Sequence, residues 1–234
     1  MGTKTKAEVA EQKTHRTLLQ EYTEALVVAI VLAILIRALF VQAFKIPSGS
    51  MEPTLLIGDH ILVNKLLYGI RVPFTDSRWP AIFKPERGDV IVFVYPEDRT
   101  KDFIKRVVAV GGDTVEIKNK RLYINGVEAP MPQARYYSNV VMPGDISPRD
   151  NLAPTKVPDG FLFVLGDNRD YSHDSRFWGF VPVEDVKGKA FLIYYSAQDF
   201  PAGGCGRLFI GLGKHPRLPG NFGGFTFKFL KPFY

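Results

Sequence analysis

The chain has 234 residues, enough for one or two domains with a sizeable core. Apolar residues make up 46% and charged residues 23%, as in ordinary folded proteins, and the net charge of +6 suits an anionic lipid surface or a nucleic acid without selecting either. The single cysteine, Cys205, excludes an intrachain disulfide and a thiolate metal cluster, and the four histidines have no zinc-ligand spacing.

The first predicted element is a long apolar segment. Residues 25–44 form a run of 20 residues interrupted by Arg37 and Gln42, about the length that crosses the hydrocarbon core of a bilayer. We predict a transmembrane helix over 25–44 and a cytoplasmic segment over 1–24, because basic residues concentrate on the amino-terminal side. Two alternatives stay open: a signal peptide cleaved near residue 43, and a buried helix of a soluble protein.

A serine-rich segment, PSGSMEPTL at residues 47–55, directly follows the apolar run. Ser, Gly and Pro are turn residues, so a plain linker is one interpretation. The other takes Ser50 as a nucleophile, which needs a neighbouring base because a serine hydroxyl alone is a weak nucleophile. The sequence offers two candidate bases: His173, which is followed by Asp174, and a lysine made neutral by burial.

The chain after this segment is rich in predicted strands. Alternating or continuous apolar stretches predict seven of them, at 60–67, 89–95, 102–110, 113–118, 121–126, 161–166 and 190–196. Turn signals such as Asn125-Gly126 separate the strands. The predicted fold is mainly β: a mostly antiparallel, partly closed sheet over 45–234, with one amino-terminal transmembrane helix.

One lysine lies inside an apolar strand. In the segment DFIKRVVAV, Lys105 shares a strand face with Phe103 and Val107, where burial would lower the pKa of its amine. An ordinary lysine is neutral in only about 1 molecule in 2,500 at pH 7, whereas a pKa lower by about 3 makes roughly a quarter or more neutral. The alternative is that Lys105 faces solvent while Arg106 faces inward, or that the strand is an edge.

Three further segments interrupt the strand pattern. Residues 166–180, GDNRDYSHDSRFWGF, are dense in charge, which is typical of a solvated loop but also of a hydrogen-bonded floor beneath a site. Residues 129–159 carry six prolines and predict a loop or small insertion. Residues 200–234 are basic and aromatic, and form either a final hairpin on the core or an edge on the outer membrane face.

Three motifs, PSGSMEPTL, FIKRVVAVGGD and GDNRDYSHDSR, occur in this order and resemble those of the bacterial type I signal peptidases. These are membrane-anchored serine proteases that remove signal peptides from exported proteins. The resemblance extends from about Phe44 to the segment FWGFVP, most of the chain outside its two ends. It implies a dyad with Ser50 as nucleophile and Lys105 as general base, no metal and no cofactor, and a β-rich core outside the cytoplasm.

The resemblance also implies roles for supporting residues. Ser48 corresponds to the side-chain donor of the oxyanion hole, beside the Ser50 backbone N–H, and Ser172 to a serine that hydrogen-bonds the lysine. Asp174 and Arg176 correspond to a supporting ion pair. The apolar walls of the substrate cleft correspond to Phe44, Ile46, Pro47, Met51, Leu55, Phe103 and Ile104. His173 has no catalytic counterpart in this family.

The partners implied by the resemblance are signal peptides of secreted pre-proteins, membrane lipid and the protein export machinery; nucleic acid is not among them. The substrate would bind as an extended strand beside residues 44–50 and 102–105, with small side chains before the cleavage site. The implied location is the bacterial cytoplasmic membrane, with a single pass, the amino terminus in the cytoplasm and the catalytic domain on the outer face.

Two rival functions share part of this pattern. A self-cleaving, repressor-type Ser-Lys protease would carry a DNA-binding amino terminus, where this chain has an apolar run. An anchored β-domain that binds polypeptide or lipid without catalysis would not need Ser48, Ser50 and Lys105, all of which are present.

Overall fold

The computed structural model of the chain describes residues 18–69, 83–196, 207–208 and 228–229. The chain divides into two compact units, one ending at Leu39 and the other beginning at Phe40. The predicted cytoplasmic segment up to residue 17, and most of the basic aromatic tail over 200–234, lie outside the described residues.

The amino-terminal unit contains one described helix, α1, which spans 22 residues over Leu18–Leu39. Its sequence suits a helix because it is rich in Leu and Ala and contains neither Gly nor Pro. The apolar side chains at its centre are exposed: Leu26, Val27, Val28, Ile30, Val31, Leu32 and Ile34. No helix within the described part of the chain is both long enough and apolar enough to cross a membrane.

The described helix differs from the predicted helix over 25–44 at both ends: it begins earlier, at Leu18, and the prediction is wrong at the carboxyl end. The helix stops at Leu39, and the next residues form strand β1 (Val41–Lys45). β1 pairs antiparallel with β2 (His60–Asn64) along its whole length. The end of the apolar run therefore belongs to the sheet, because its backbone N–H and C=O groups bond to a neighbouring strand instead of along a helix. As a result the serine segment extends directly from a strand.

The remaining described strands follow in chain order. They are β3 (Val90–Val94), β4 (Asp102–Val110), β5 (Thr114–Lys118), β6 (Arg121–Ile124), β7 (Val127–Glu128), β8 (Leu152–Lys156), β9 (Phe161–Leu165), β10 (Val181–Pro182), β11 (Val186–Ser196), β12 (Arg207–Leu208) and β13 (Lys228–Phe229). A short helix, α2 (Ser175–Trp178), lies between β9 and β10. All seven predicted strands are confirmed, although 60–67 is shorter than predicted and 190–196 begins four residues earlier.

The described strands form two antiparallel sheets. The larger one has nine strands in the order β1-β2-β11-β3-β4-β9-β10, with β12 and β13 pairing on β11. Its strand path ends at β1 on one side and β10 on the other, so this sheet stays open. The smaller sheet has the order β7-β6-β5-β8. The mainly β, antiparallel prediction is confirmed. The predicted partial closure is not found among the described strands, because β1 and β10 at the two ends of the path do not pair with each other.

The 129–159 segment was predicted to be a loop or small insertion, but part of it forms strand β8. This strand contains Pro154, which cannot donate to a strand ladder. β8 lies at the edge of the smaller sheet and pairs only with β5 among the described strands, so the proline is tolerated. The proline that argued against a strand in the sequence is thus explained by the edge position.

A cluster of apolar side chains supports the serine segment from below. Its buried members are Ile46, Met51, Leu55, Ile61, Val63, Val90, Val92, Ala190 and Ile193, with Phe44 and Ile104 packed against it. The two ends of the segment are closed on each other, since Ile46 N–H donates to Asp59 O at 2.8 Å and Gly58 N–H donates to Ile46 O at 2.8 Å. The core therefore fixes this segment against β2, β3 and β11.

Candidate active site

The serine loop (residues 47–55) holds Ser50 at the surface of a cleft. Gly49–Met51 form a single 3₁₀ turn, and Ser48 before it is extended. Ser50 is only 8% exposed, yet it lines a cleft of about 440 Å³ together with other residues of the loop. A tight turn on a packed base keeps this hydroxyl in one place, as a nucleophile requires.

Lys105 meets Ser50 in this cleft. Its Nζ lies 2.7 Å from Ser50 Oγ, and the residue is 4% exposed. Arg106 is buried as well, and β4 is an interior strand between β3 and β9. Both alternatives to a buried lysine, a solvent-facing Lys105 and an edge strand, are therefore wrong. The Lys105 ammonium group also lies 5.4 Å from the centre of the Phe103 ring.

The surroundings of Lys105 weaken its hold on a proton, so its ammonium group is a stronger acid than that of an ordinary lysine. Burial lowers the pKa of Lys105 from 10.5 to about 8, partly offset by the Asp174 carboxylate, while the Arg176 guanidinium lowers the pKa further. A pKa of about 8 leaves roughly a tenth of the amines neutral at pH 7 and half of them neutral at pH 8. The amine is thus available as a base near neutral pH, as the apolar strand predicted.

His173, the other candidate base, does not bond to Ser50. Its Nε2 lies 3.3 Å from the Tyr95 hydroxyl, and its ring stacks on Phe177 at 5.4 Å. His173 does line the cleft, however, which the sequence did not indicate. The structure therefore brings Lys105, and not His173, to the nucleophile.

The floor segment (residues 166–180) carries a buried ion pair beneath the dyad. Arg176 Nε donates to Asp174 Oδ1 and Arg176 Nη2 donates to Asp174 Oδ2, each at 2.8 Å. Burial would raise the pKa of Asp174, but Arg176 and a 3.0 Å hydrogen bond from Gly166 N–H hold that pKa below its ordinary value. Asp174 also caps α2, accepting from Arg176 N–H. Asp167, Asp174 and Arg176, three charged side chains of this segment, thus lie buried in ion pairs.

Two predicted supporting serines are placed differently. Ser48 Oγ lies 3.4 Å from Ser50 Oγ, close enough to share a site with it. Ser172 Oγ is buried and makes no hydrogen bond to Lys105 among the described residues. Its hydroxyl instead interacts with the Asp174 carboxylate and helps to hold the pKa of Asp174 below its ordinary value. A side chain on Gly166 would collide with the Ser172 hydroxyl and the Ser50 carbonyl oxygen. The absence of a side chain at Gly166 therefore lets the Ser172 hydroxyl pack against this backbone.

The predicted apolar walls divide into two groups. Pro47, Phe103 and Ile104 line the cleft. Met51 and Leu55 are fully buried in the cluster below the loop, and Ile46 is nearly so, while Phe44 packs on that cluster. These four residues belong to, or pack on, the apolar cluster that supports the cleft from behind. Contact of all seven with substrate stays a prediction, and three of them line the cleft in this structure.

Several site residues were missed from the sequence. Asp102, Asn168 and Tyr171 line the cleft beside the predicted residues. Asp167, which is fully buried, accepts two hydrogen bonds from Arg106 at 2.7 and 2.6 Å. Its position directly after a buried strand was the one available signal. Within the described residues, no group of His, Cys, Asp and Glu side chains could hold a metal ion.

Comparison with known proteins matches the chain to one family. The family model described as "Signal peptidase, peptidase S26" matches residues 19–195. A signal peptidase I of Pseudomonas aeruginosa is 38% identical over 225 residues, covering 82% of this chain and 78% of that protein. A signal peptidase I of Aquifex aeolicus is 39% identical over 221 residues, covering 72% of this chain and 82% of that protein. The chain therefore belongs to the signal peptidase family and is a serine endopeptidase.

Proposed function

We propose that this enzyme cleaves amino-terminal signal peptides from exported pre-proteins, after small residues, through an acyl-enzyme formed on Ser50. The observation that carries the proposal is the 2.7 Å contact between Ser50 Oγ and the buried Nζ of Lys105. A neutral lysine amine at this distance can accept the hydroxyl proton directly. Family membership supports the choice of substrate.

Acylation begins when Ser50 Oγ attacks the scissile carbonyl carbon and its proton passes to Lys105 Nζ. The carbonyl oxygen becomes an oxyanion, which the Ser50 backbone N–H and the Ser48 hydroxyl stabilise as donors. The tetrahedral intermediate then collapses, and Lys105 returns the proton to the nitrogen of the leaving amine. The products of this half-reaction are the mature protein and an ester between Ser50 and the signal peptide.

Deacylation repeats the same steps with water as the nucleophile. Lys105 takes a proton from the water as it attacks the ester, and returns that proton to Ser50 Oγ as the leaving group. The same two donors stabilise the second oxyanion. Asp174 and Arg176 act in both halves by holding the floor segment and by setting the pKa of Lys105 from opposite directions.

The substrate binds as an extended strand in the cleft, beside residues 44–50 and 102–105. β1 ends the strand path of the larger sheet, which leaves its outer edge without a partner among the described strands. An extended peptide can add at such an edge through main-chain hydrogen bonds. Pro47, Phe103 and Ile104 then narrow the cleft, which favours small side chains before the cleavage site.

The amino-terminal segment anchors the enzyme at the outer face of a bacterial cytoplasmic membrane, with the amino terminus in the cytoplasm. The support is the exposed apolar surface of α1 and the excess of lysine and arginine before it. Membrane lipid and the export machinery are then neighbours of the catalytic unit.

Purified full-length enzyme in detergent, incubated with a pre-protein, tests the function. We expect wild type to release the mature protein, and Ser50→Ala and Lys105→Ala to lose at least about 1,000-fold in kcat/KM. His173→Ala, a cleft-lining change outside the dyad, should stay within about threefold of wild type. A His173→Ala enzyme as inactive as Lys105→Ala would favour a serine–histidine mechanism instead.

A further inference from the structure

One residue of the floor segment holds two consecutive carbonyl groups of the serine loop. Asn168 Nδ2 donates to Gly49 O at 3.2 Å, and Asn168 N–H donates to Ser50 O, also at 3.2 Å. Asn168 is buried and contributes to the lining of the cleft. Asn168 lies far from the serine loop in sequence. Its hydrogen bond to Gly49 O is separate from the one within the turn, in which Glu52 N–H donates to the same oxygen at 3.1 Å.

The contact with Gly49 O controls the direction of a different group. Gly49 C=O and Ser50 N–H belong to one peptide unit, which is planar and trans, so they point to opposite sides. Fixing the carbonyl therefore fixes the N–H. A peptide that follows a glycine rotates more readily than others, because glycine imposes little restriction on its backbone. An external donor on Gly49 O opposes that rotation.

The other end of the Asn168 amide supports a functional reason for this arrangement. Oδ1 is buried and has no hydrogen-bond partner among the described residues. Leaving a buried acceptor unsatisfied is unfavourable for stability, and such exceptions in native structures call for an explanation. Turning the amide over would place Oδ1 against Gly49 O, two acceptors in contact. The observed orientation therefore keeps the donor on the serine loop.

We propose that Asn168 is a positioning residue for the oxyanion hole, which holds the Gly49–Ser50 peptide so that the Ser50 N–H faces the developing oxyanion. The inference rests on the proposed function, in which that N–H is one of two oxyanion donors. Asn168 acts through the peptide and does not touch the reacting atoms. Its contribution falls on the transition state, so it affects kcat more than KM.

The test is Asn168→Ala in the full-length enzyme with a pre-protein substrate. Removing an oxyanion donor outright lowers kcat by about 100- to 1,000-fold. Because Glu52 N–H still holds Gly49 O, we expect a smaller loss, about 10- to 100-fold in kcat, with KM within about threefold. Affinity for a peptide aldehyde, which forms an oxyanion on Ser50, should fall in parallel with kcat. The pH at which activity rises should not move, since Lys105 is untouched.

Two further variants separate this role from general damage. Asn168→Asp keeps the side-chain shape but replaces the donor with an oxygen that repels Gly49 O, so it should lose kcat and aldehyde affinity as well. Asn151→Ala removes an equivalent amide contact, from Nδ2 to Met142 O at 2.9 Å, outside the cleft, and should behave as wild type.

The outcomes distinguish this inference from the proposed function. Suppose that wild type and Ser50→Ala behave as proposed, but that both Asn168 variants keep kcat and aldehyde affinity within about twofold. The role of Asn168 is then wrong, while the proposed function stands. The role of Asn168 is also wrong if KM rises as much as kcat falls, which would indicate a defect in substrate binding. If wild type fails to cleave the pre-protein, the proposed function itself is wrong.

Discussion

Arg106 and Asp167 form a buried, bidentate ion pair directly beside the dyad, with N–O distances of 2.7 and 2.6 Å. Arg106 Nη1 also donates to Gly88 O at 2.7 Å, and Thr54 Oγ1 donates to Asp167 Oδ2 at 2.5 Å. The pair thus joins four segments: β4, the floor segment, the serine loop and the turn before β3. Because Lys105 precedes Arg106 in β4, the ion pair helps to fix the position of the Lys105 side chain.

We predict that Asp167→Ala destabilises the fold by about 3–5 kcal/mol, because it leaves the Arg106 guanidinium buried without a partner. Urea unfolding followed by circular dichroism measures the change. Glu128→Ala is the matched control, since its pair with Arg121 spans 3.6 Å at the exposed edge of the smaller sheet and should contribute less than about 1 kcal/mol. Equal losses for the two variants would contradict the connecting role.

The buried lysine predicts a stability that depends on pH. The pKa of Lys105 is about 8 in the folded enzyme and 10.5 as its ordinary value, so between these limits the unfolded chain binds more protons. Stability contributed through Lys105 therefore rises with pH from about 8 to 10.5, and below pH 8 the full cost of burying the charge is present.

Lys105→Met removes that cost, so it should be more stable than wild type by about 3 kcal/mol at pH 7, and the difference should shrink toward pH 10.5. Comparing unfolding free energies of the two proteins across this range cancels the titration of other groups. A constant difference would show that Lys105 has the same pKa in the folded and unfolded chains.

The Asp174–Arg176 pair predicts shifts of opposite sign in the pKa of Lys105. The Asp174 carboxylate raises that pKa and the Arg176 guanidinium lowers it. Asp174→Asn should therefore move the acid limb of kcat/KM to lower pH, and Arg176→Gln should move it to higher pH. The activity of both variants is compared at temperatures at which their thermal unfolding curves show that they are folded. Shifts in the same direction would mean that the pair acts only by supporting the fold.

The exposed apolar surface of α1 predicts membrane association of the full-length enzyme. A charged side chain placed on this surface should reduce the fraction of enzyme that stays with liposomes after an alkaline wash. The reason is that each lysine side chain costs about 2.5–3.5 kcal/mol of free energy in the bilayer core. The proposed change is the double variant Leu26→Lys and Ile30→Lys. Val140→Lys, which alters an exposed apolar residue of the catalytic unit, is the control and should have no effect. Equal retention of all three proteins would refute the anchor.

The sequence predicted those parts of the fold that depend on local pattern. Strand β4 occupies 102–110 as predicted, because its apolar and β-branched residues favour a strand over a helix or a loop. β1 was missed because an apolar run of 20 residues has the same composition whether its end joins a helix or a sheet; only the pairing partner decides. The short strands β7, β10, β12 and β13 have two residues each, which is too few to show periodicity.

The site shows the same division. Ser50 and Lys105 could be named because one lies in a constrained loop and the other interrupts an apolar strand. Asn168 and Asp167 could not be assigned, because their roles depend on contacts with residues more than 60 positions away. Met51 and Leu55 were given to the cleft wall, although which side of a loop faces the core follows only from its packing.

The most direct test of the Ser50–Lys105 mechanism is the pH dependence of acylation by the full-length enzyme, measured in single turnovers with a pre-protein. The rate should rise with pH as one group with a pKa of about 8 loses its proton, since only the neutral Lys105 amine can accept from Ser50. Lys105→Ala should show no such rise and at least about 1,000-fold less acylation. A rise governed by a group near pH 10, or acylation at the wild-type rate in Lys105→Ala, would contradict the mechanism.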